Sequence, residues 1–324
     1  MGSAAMSRYP EIDLERVRGV SLEGREAKTA REALARPVQE SDSFADFWDG
    51  LPDALGAADL RALVAAILAA RRAGRPVVWM FGAHVIKVGL SPLLVALLEE
   101  DLATLVAVNG AFAIHDAEMA LWGRTSEDVA AGLQRGRFGM ARETADLLNG
   151  AAGEAQARQE GLGEALGRIL LARRERWVAP SVLGVAYDRE IPVTVHVAIG
   201  CDIVHQHPSF SGAATGESTA RDFRILAAHL QELSDAVVIN VGSAVLLPEV
   251  FLKAFSVVTH LGASPEGLTT ATLDFQRHYR PLVNVVQRPH YAGGRGIYLI
   301  GQHEILLPLL VQGLRCEQAR PQES

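Results

Sequence analysis

Short apolar runs alternate with segments of helical period along most of this chain. The runs predict six buried strands, at Pro76–Phe81, Leu105–Asn109, Pro192–Ile199, Val237–Val241, Leu268–Leu273 and Leu282–Val286. Helices are predicted before or after most of these strands, at Asp59–Ala73, Ser91–Asp101, Ala113–Trp122, Ala220–Leu233, Pro248–Leu261 and His303–Leu314. Strands that are apolar on both faces and alternate with helices are typical of a doubly wound, mostly parallel α/β sheet.

Two parts of the chain depart from this alternation. Residues 124–190 predict only helices, at Glu127–Arg135, Met140–Leu148 and Gly153–Arg176, and we interpret them as a helical insertion. Residues 1–50 mix charges with Pro37 and predict an N-terminal arm with little regular structure. Residues 51–324 are therefore expected to form a single Rossmann-like α/β domain that carries the insertion.

Composition limits the partners and the compartment. There are 31 Lys and Arg against 38 Asp and Glu, a net charge of −7, so neither nucleic acid nor an anionic membrane surface is expected to bind. The pattern shows no membrane span or signal peptide, and Gly2 lacks the Ser or Thr of a myristoylation signal. The two cysteines, Cys201 and Cys316, form no CxxC pair. We expect a cytoplasmic protein.

Small and polar residues follow the predicted strands, at the edge where a parallel sheet binds its ligands. They include Gly82, His84, Asn109, Gly110, His115, Asp116, Asp202, His205, His207, Gly242, Ser243, Thr270 and Asp274. Turn geometry alone explains the glycines, but it explains the His and Asp residues less easily. No loop matches a GxGxxG fingerprint, a Walker loop or a GxSxG elbow. The run Gly293–Gly296 predicts either a flexible turn or a phosphate contact through Arg295.

Asp202, His205 and His207 allow a metal interpretation, since alternate residues of an extended segment share a face. The sequence carries no HExxH motif and no paired carboxylates beside them. Histidines that hydrogen-bond a substrate are therefore the preferred interpretation. A metal-dependent hydrolase or lyase that uses these three residues is kept as an alternative.

Four segments carry a resemblance to a known family. FGAHVIKVGLSPLLVALLEEDLATLVAVNG, PVTVHVAIGCDIVHQHP and VVINVGSAVLLPEVFLKAF resemble the deoxyhypusine synthase superfamily, over roughly Val77–Leu314. NGAFAIHDAEMALWG is similar to the NAD-dependent ornithine cyclodeaminase branch of archaea and cyanobacteria, which has an Ala-Val-His-Asp-Ile-Glu run followed by Leu-Tyr/Phe-Gly. The resemblance implies a Rossmann-like fold, NAD as cofactor and a homotetramer.

One departure separates the chain from deoxyhypusine synthase itself. Leu247 or Pro248 stands where that family has its nucleophilic lysine, and Lys253 follows about a turn and a half later. Leucine cannot form the covalent imine that such a lysine forms. We therefore expect a different activity.

The resemblance implies an NAD-binding enzyme that acts on a small amine or amino acid by hydride and acid/base chemistry. Its predicted catalytic residues are His205, His115 and Glu249, and its predicted cofactor contacts are Gly82, Asn109, Gly110, Asp116, Asp202, Gly242, Ser243, Thr270 and Asp274. Glu249 also fits a purely structural charge at a helix N-terminus. We expect Asp116, His205 and Glu249 to converge on one cleft. A homologue that binds ligands without catalysis is the third alternative.

Overall fold

A computed structural model describes residues 8–320, so the prediction for Gly2 and the first seven residues of the arm lie outside the described part. These residues form one sheet, with strands Val77–Phe81 (β1), Leu105–Asn109 (β2), Val193–His196 (β3), Val237–Val241 (β4), Thr269–Asp274 (β5) and Arg295–Ile300 (β6). The strands lie in the order β3-β2-β1-β4-β5-β6, and all neighbours are parallel. This is the doubly wound Rossmann order, so the predicted fold class is confirmed.

Helices cover both faces of the sheet. Residues 8–320 form the α-helices Phe44–Gly50 (α1), Leu55–Arg72 (α2), His84–Lys87 (α3), Ser91–Glu99 (α4), Gly110–Trp122 (α5), Val129–Gln134 (α6), Arg142–Arg158 (α7), Leu162–Leu171 (α8), Val182–Asp188 (α9), Gly212–His229 (α10), Leu246–His260 (α11) and His303–Gln318 (α12), and a π-helix at Pro281–Gln287. None of the helices in this range combines the length and the apolar character that a membrane span needs.

The apolar strands supply two cores. Val77, Trp79 and Phe81 of β1 pack into a core with α2, α4, α5 and α12 on one face of the sheet. Val78 and Met80 point to the other face and pack with α10, α11 and the π-helix. Because successive residues of a strand face opposite ways, both sets must be apolar, which explains the continuous apolar runs.

The free edge of β3 is covered by side chains of α10. Asp222 Oδ2 accepts the N–H of Val195 at 2.8 Å and that of Gly163, at the start of α8, at 3.0 Å. Thr219 Oγ1 donates to the carbonyl of Val195 and accepts the N–H of Val197. These side chains take the place of a further strand, so the edge offers no open ladder to another chain.

Helices α6 to α9 occupy the segment between α5 and β3. The long helix predicted at Gly153–Arg176 is wrong, because α7 ends at Arg158 and α8 begins at Leu162. Gln159 adopts a left-handed conformation, with φ of +57°, which ends α7. The helical period continues across this break, so the pattern alone does not reveal it.

The sixth strand was predicted in the wrong place. The run Leu282–Val286 lies within the π-helix, and the sixth strand is β6. A short apolar run does not distinguish strand from helix, and Pro281 suits the first helical position. Gly293 and Gly294, with φ of +95° and +91°, lead into β6. Arg295 begins that strand and binds Asp59 at 2.8 Å, so it lies at the amino end of the sheet, away from the ligand-binding edge.

Residues 8–43 are almost entirely exposed. They contain three single-turn 3-10 helices, Leu14–Arg16, Leu22–Gly24 and Arg31–Ala33, and none of these buries a residue. From residue 8 onwards, the first large buried side chain is that of Trp48 in α1, whose Nε1–H donates to Glu317 of α12 at 2.8 Å. This segment therefore contributes little to either core.

Candidate active site

A crevice of about 800 Å³ opens at the carboxyl ends of β2, β3 and β4. Six of the residues predicted for the site line it, namely Asn109, Gly110, Asp202, Gly242, Ser243 and Glu249. Another cavity, of about 530 Å³, lies beside Tyr187 and Val193 at the amino end of β3. Ligands of doubly wound sheets bind at the carboxyl edge, so the crevice is the candidate active site.

Gly82 follows β1 and Gly242 follows β4, and these two glycines let the ends of the neighbouring strands approach closely. A Cβ on Gly82 would lie only 2.0 Å from the carbonyl oxygen of Gly242. Gly242 itself has φ of +68°, a conformation that other residues adopt at a cost. Gly82 therefore lies against the loop that lines the crevice, and only glycine fits there.

The N-termini of α5 and α11 both open into the crevice. Asn109 ends β2 and caps α5, where its Oδ1 accepts the N–H of Phe112 at 2.9 Å. Gly110 and Ala111 line the crevice, and the first N–H groups of a helix have no partner within the helix. At α11, Ser243 Oγ accepts the N–H of Leu247 at 3.2 Å. Helix N-termini carry partial positive charge, so this part of the crevice attracts an anionic group.

Asp202 supplies a carboxyl group with an unusual pKa. Its side chain is only 10% exposed and lies against Gly110, where a Cβ would stand 2.1 Å from Oδ2. Burial raises the pKa of Asp202 from 3.8 to about 6. A carboxyl group that titrates close to neutral pH in a crevice suits acid/base chemistry.

His205 is held beside Asp202 in its neutral form, with Nδ1 as a hydrogen-bond acceptor. Its Nδ1 accepts the backbone N–H groups of Gly200 at 3.0 Å and of Asp202 at 3.2 Å. The ring proton must therefore be on Nε2, which lies 4.0 Å from Asp202 Oδ2. A proton on Nδ1 would break both hydrogen bonds, and burial lowers the pKa of His205 as well. This arrangement suits positioning of Asp202 better than proton transfer by His205.

The positions of His205 and His207 contradict the alternative of a metal site. His207 Nε2 lies 3.1 Å from the carbonyl of Gly139, and His205 Nδ1 already accepts two N–H groups. Within residues 8–320, no three His, Cys, Asp or Glu side chains are grouped so that they could hold a metal ion. The interpretation of Asp202, His205 and His207 as a metal site is therefore wrong.

Glu249 lines the crevice as an ionised, paired carboxylate. Lys253, one turn later in α11, donates to it, and Arg280 and Asn284 each do so at 3.1 Å. The hydrogen bond from Lys253 is the main reason that the pKa of Glu249 is lowered. Leu247 and Pro248, one of which stands where deoxyhypusine synthases have their lysine according to the resemblance, are both buried, and the Lys253 amine is bound to Glu249.

His196 is a crevice residue that the sequence analysis missed. It ends β3, is 97% buried, and places Nε2 2.9 Å from Thr194 Oγ1. Burial lowers the pKa of His196 to about 3, so the imidazole is neutral at physiological pH. The sequence signal that could have revealed His196 is a single polar ring at the end of an otherwise apolar strand.

Asp116 does not reach the crevice. It is 1% exposed, and its carboxylate accepts the Ser181 hydroxyl at 2.6 Å and the N–H of Val182 at 2.8 Å. These bonds cap the start of α9, and burial raises the pKa of Asp116 to about 6. The expectation that Asp116, His205 and Glu249 converge on one cleft is therefore wrong, because the Asp116 side chain faces the neighbouring helix and His205 is not among the residues that line the crevice.

His115 and Thr270 are likewise absent from the crevice lining. His115 Nδ1 lies 2.6 Å from Thr125 Oγ1, which donates to Glu118. Burial, followed by the charge of Lys87, lowers the pKa of His115 to about 4. Thr270 Oγ1 is buried and donates to the carbonyl of Val285 in the π-helix at 2.6 Å.

Four rings meet at the carboxyl ends of β1 and β5, and we call them the ring cluster: His84, Phe275, His278 and His303. The centroid of His303 lies 5.3 Å from that of His84 and 6.1 Å from that of Phe275, and His278 lies 6.4 Å from Phe275. The predicted residue Asp274 belongs here, with its carboxylate 3.6 Å from His278.

Comparison with solved structures identifies proteins of the same fold. The ternary complex of AgrE with ornithine and NAD+ matches with a TM-score of 0.52 and 18% identity, over 79% of this chain and 32% of AgrE. A LOR/SDH protein from Methanococcus maripaludis S2 matches with a TM-score of 0.50 and 15% identity, over 81% and 70% of the two chains. A deoxyhypusine synthase-like protein from Entamoeba histolytica matches with a TM-score of 0.48 and 10% identity, over 86% and 95%.

The AgrE and LOR/SDH matches, with TM-scores of 0.50 or more, show that proteins linked to NAD or to amino acids by their names share the fold of this chain. The chain spans about a third of the AgrE chain. No family model and no curated protein sequence matches it.

Proposed function

We propose that this protein is an NAD-linked enzyme that acts on a small amine or amino acid, with Asp202 as its acid/base. The observation that carries the proposal is the buried Asp202 carboxyl group, with a pKa of about 6, in the crevice at the carboxyl edge of a Rossmann-ordered sheet. A group that titrates there can exchange a proton with a substrate near neutral pH.

The crevice fits a dinucleotide cofactor by its helix ends and its glycines. The open N-termini of α5 and α11 and the hydroxyl of Ser243 suit a pyrophosphate, and Gly82 and Gly242 keep the edge free of side chains. The AgrE structure of this fold contains NAD+ and ornithine, which supports the same cofactor here. When bound, NAD would supply the hydride acceptor or donor, and the residues of the chain must orient the substrate and move its protons.

The charges of the crevice favour a cationic substrate. Among the described residues that line it, Asp202 is a carboxyl group that no Lys or Arg contacts, whereas Glu249 is already paired with Lys253 and Arg280. An ammonium group is attracted by ionised Asp202, and the apolar side chains of Phe223 and Val250 can contact its carbon chain. A small amine or amino acid is therefore the substrate class that fits.

Ionised Asp202 removes a proton from the substrate ammonium group, which leaves the nitrogen lone pair free. The raised pKa of Asp202 lies closer to the pKa of an ammonium group. A proton therefore passes from the substrate to Asp202 more readily than to an aspartate with an ordinary pKa. His205 Nε2 lies 4.0 Å from Asp202 Oδ2, so this neutral imidazole lies beside the carboxyl group without a hydrogen bond to it. His196, neutral and buried, offers the ligand a hydrogen bond without titrating.

Calorimetry with NAD and a turnover screen of amines and amino acids, followed by NADH absorbance, test the proposal. We expect NAD to bind and kcat/KM to rise with pH through about 6, since ionised Asp202 is the base. Asp202→Asn should lower kcat about 100-fold or more while NAD still binds. Asp42→Asn, on the exposed arm, is the matched control. Absence of NAD binding, or unchanged turnover in Asp202→Asn, would refute the proposal.

A further inference from the structure

We infer that the ring cluster binds the adenine end of the dinucleotide, on the far side of the Gly82–Gly242 pair from Asp202. The inference rests on the proposed function, since it takes NAD as the ligand of the crevice. It assigns a second subsite to four residues that have no part in the acid/base chemistry. The class of ligand is a planar nucleobase that carries an N–H donor.

The ring cluster is continuous with the crevice through a single glycine. Gly242 lines the crevice, and a Cβ on it would stand 3.1 Å from Cε1 of His303. His84 follows β1 and Phe275 follows β5, so both rings lie at the same carboxyl edge as the crevice. A ligand that extends from the crevice across Gly242 therefore meets these rings next.

The position of Asp202 decides which end of the dinucleotide lies in the crevice and which end reaches the ring cluster. NAD has two ring-bearing ends joined by a pyrophosphate, and the reacting ring must lie beside the acid/base residue. Asp202 lies in the crevice against Gly110, at the end of β2, whereas Phe275 of the ring cluster follows β5, and β1 and β4 lie between these two strands. The non-reacting end, which carries adenine, is then the one that reaches the ring cluster.

The exposed ring of Phe275 offers a stacking surface. Phe275 is 45% exposed, although it touches His303 and His278 in edge-to-face contacts of 88° and 89°. A large aromatic side chain that is held by its neighbours yet exposed at a ligand-binding edge suits stacking with a base. His84, which is partly exposed, adds a second ring on the same surface.

His303 adds an acceptor that the described part of the chain leaves unused. Its Nε2 lies 3.2 Å from the carbonyl of Leu273, to which it must donate, so Nδ1 carries a lone pair. That Nδ1 is buried and has no hydrogen-bond partner among the described residues. Rotation of Phe275 or His84, the two partly exposed rings in contact with it, would open Nδ1 to a ligand. An exocyclic amine is the kind of donor that would satisfy it.

Calorimetric titration of the full chain with NAD, AMP and nicotinamide mononucleotide tests the inference. Phe275→Ala should weaken NAD and AMP by the same factor, about fivefold or more, and leave nicotinamide mononucleotide unchanged. Tyr279→Ala, which removes a 70% exposed ring four residues later, should change none of the three affinities. His303→Gln serves as a second variant and should also weaken AMP.

The outcomes separate this inference from the proposed function. If the wild type binds AMP but not NAD, the proposed function fails, while a loss of AMP binding in Phe275→Ala still supports the adenine subsite. If Phe275→Ala weakens nicotinamide mononucleotide and not AMP, the cluster holds the other end and the inference is overturned. Unchanged affinities in both variants, or no binding of any of the three compounds to the wild type, would overturn it as well.

Discussion

Replacing Asp202 with Asn should stabilise the protein, and the gain should grow with pH. Burial holds the pKa of Asp202 at about 6 in the folded state, against 3.8 for an exposed aspartate. Below pH 3.8 the carboxyl group is neutral in both states, so its burial carries no charge penalty. As the pH rises through 6, the folded state must hold a buried carboxylate, and the stability that the neutral form gave is lost.

The size of the stabilisation in Asp202→Asn follows from the pKa shift of Asp202. A difference of about 2 pKa units corresponds to about 3 kcal/mol of unfolding free energy once Asp202 is fully ionised. By linkage, the advantage of Asp202→Asn over the wild type should rise from about 1 kcal/mol at pH 4.5 to about 3 kcal/mol at pH 7.5. A residue kept at such a cost to stability is typical of a functional site.

Urea unfolding of both proteins across this pH range measures the difference. Glu249→Gln is the matched control in the same crevice, because its partners lower the pKa of Glu249. That variant should lose stability at neutral pH, and its loss should shrink as the pH falls through the pKa. A stability advantage of Asp202→Asn that does not change with pH, or that decreases as the pH rises, would refute the assignment of a buried carboxyl group with a raised pKa.

Four further outcomes are expected. Gly110→Ala should lower turnover about 100-fold with little change in circular dichroism, because its Cβ would stand 2.1 Å from Asp202 Oδ2 and displace that carboxylate. Asp222→Ala should cost about 3 kcal/mol in urea unfolding, since it leaves the N–H groups of Gly163 and Val195 without an acceptor, and wild-type stability would contradict this. Borohydride with an amine substrate should trap no adduct by mass spectrometry, since Leu247 or Pro248 stands where the deoxyhypusine synthases that the chain resembles have their lysine, and an adduct on Lys87 or Lys253 would overturn that view. Light scattering should give a tetramer mass, as the family resemblance implies, and a monomer mass at micromolar concentration would count against it.

The part of the fold that could be read from the sequence is the part buried on both faces. The bounds of β2 and β4 agree with the predicted runs, because every apolar residue of these strands packs into one of the two cores. β6 was missed because its residues are partly exposed and its run begins with Arg295. The apolar run at Leu282–Val286 faces one core as a π-helix, which a short pattern cannot separate from a strand.

The candidate site was half predictable for a similar reason. Residues directly after a strand, such as Gly110 and Ser243, lie at the carboxyl edge by topology alone. Asp116 lies farther into α5, and only the packing of α9 decides that its carboxylate faces inward. The tautomer of His205 depends on two backbone N–H groups that a local turn brings to its Nδ1, and no spacing rule reveals this.

A crystal structure of the protein with NAD tests the central claim most directly. We expect density for the cofactor in the crevice, with the nicotinamide ring beside Asp202 and the pyrophosphate at the N-termini of α5 and α11. Density at the cavity beside Tyr187, or a crevice that stays empty at saturating NAD, would contradict it.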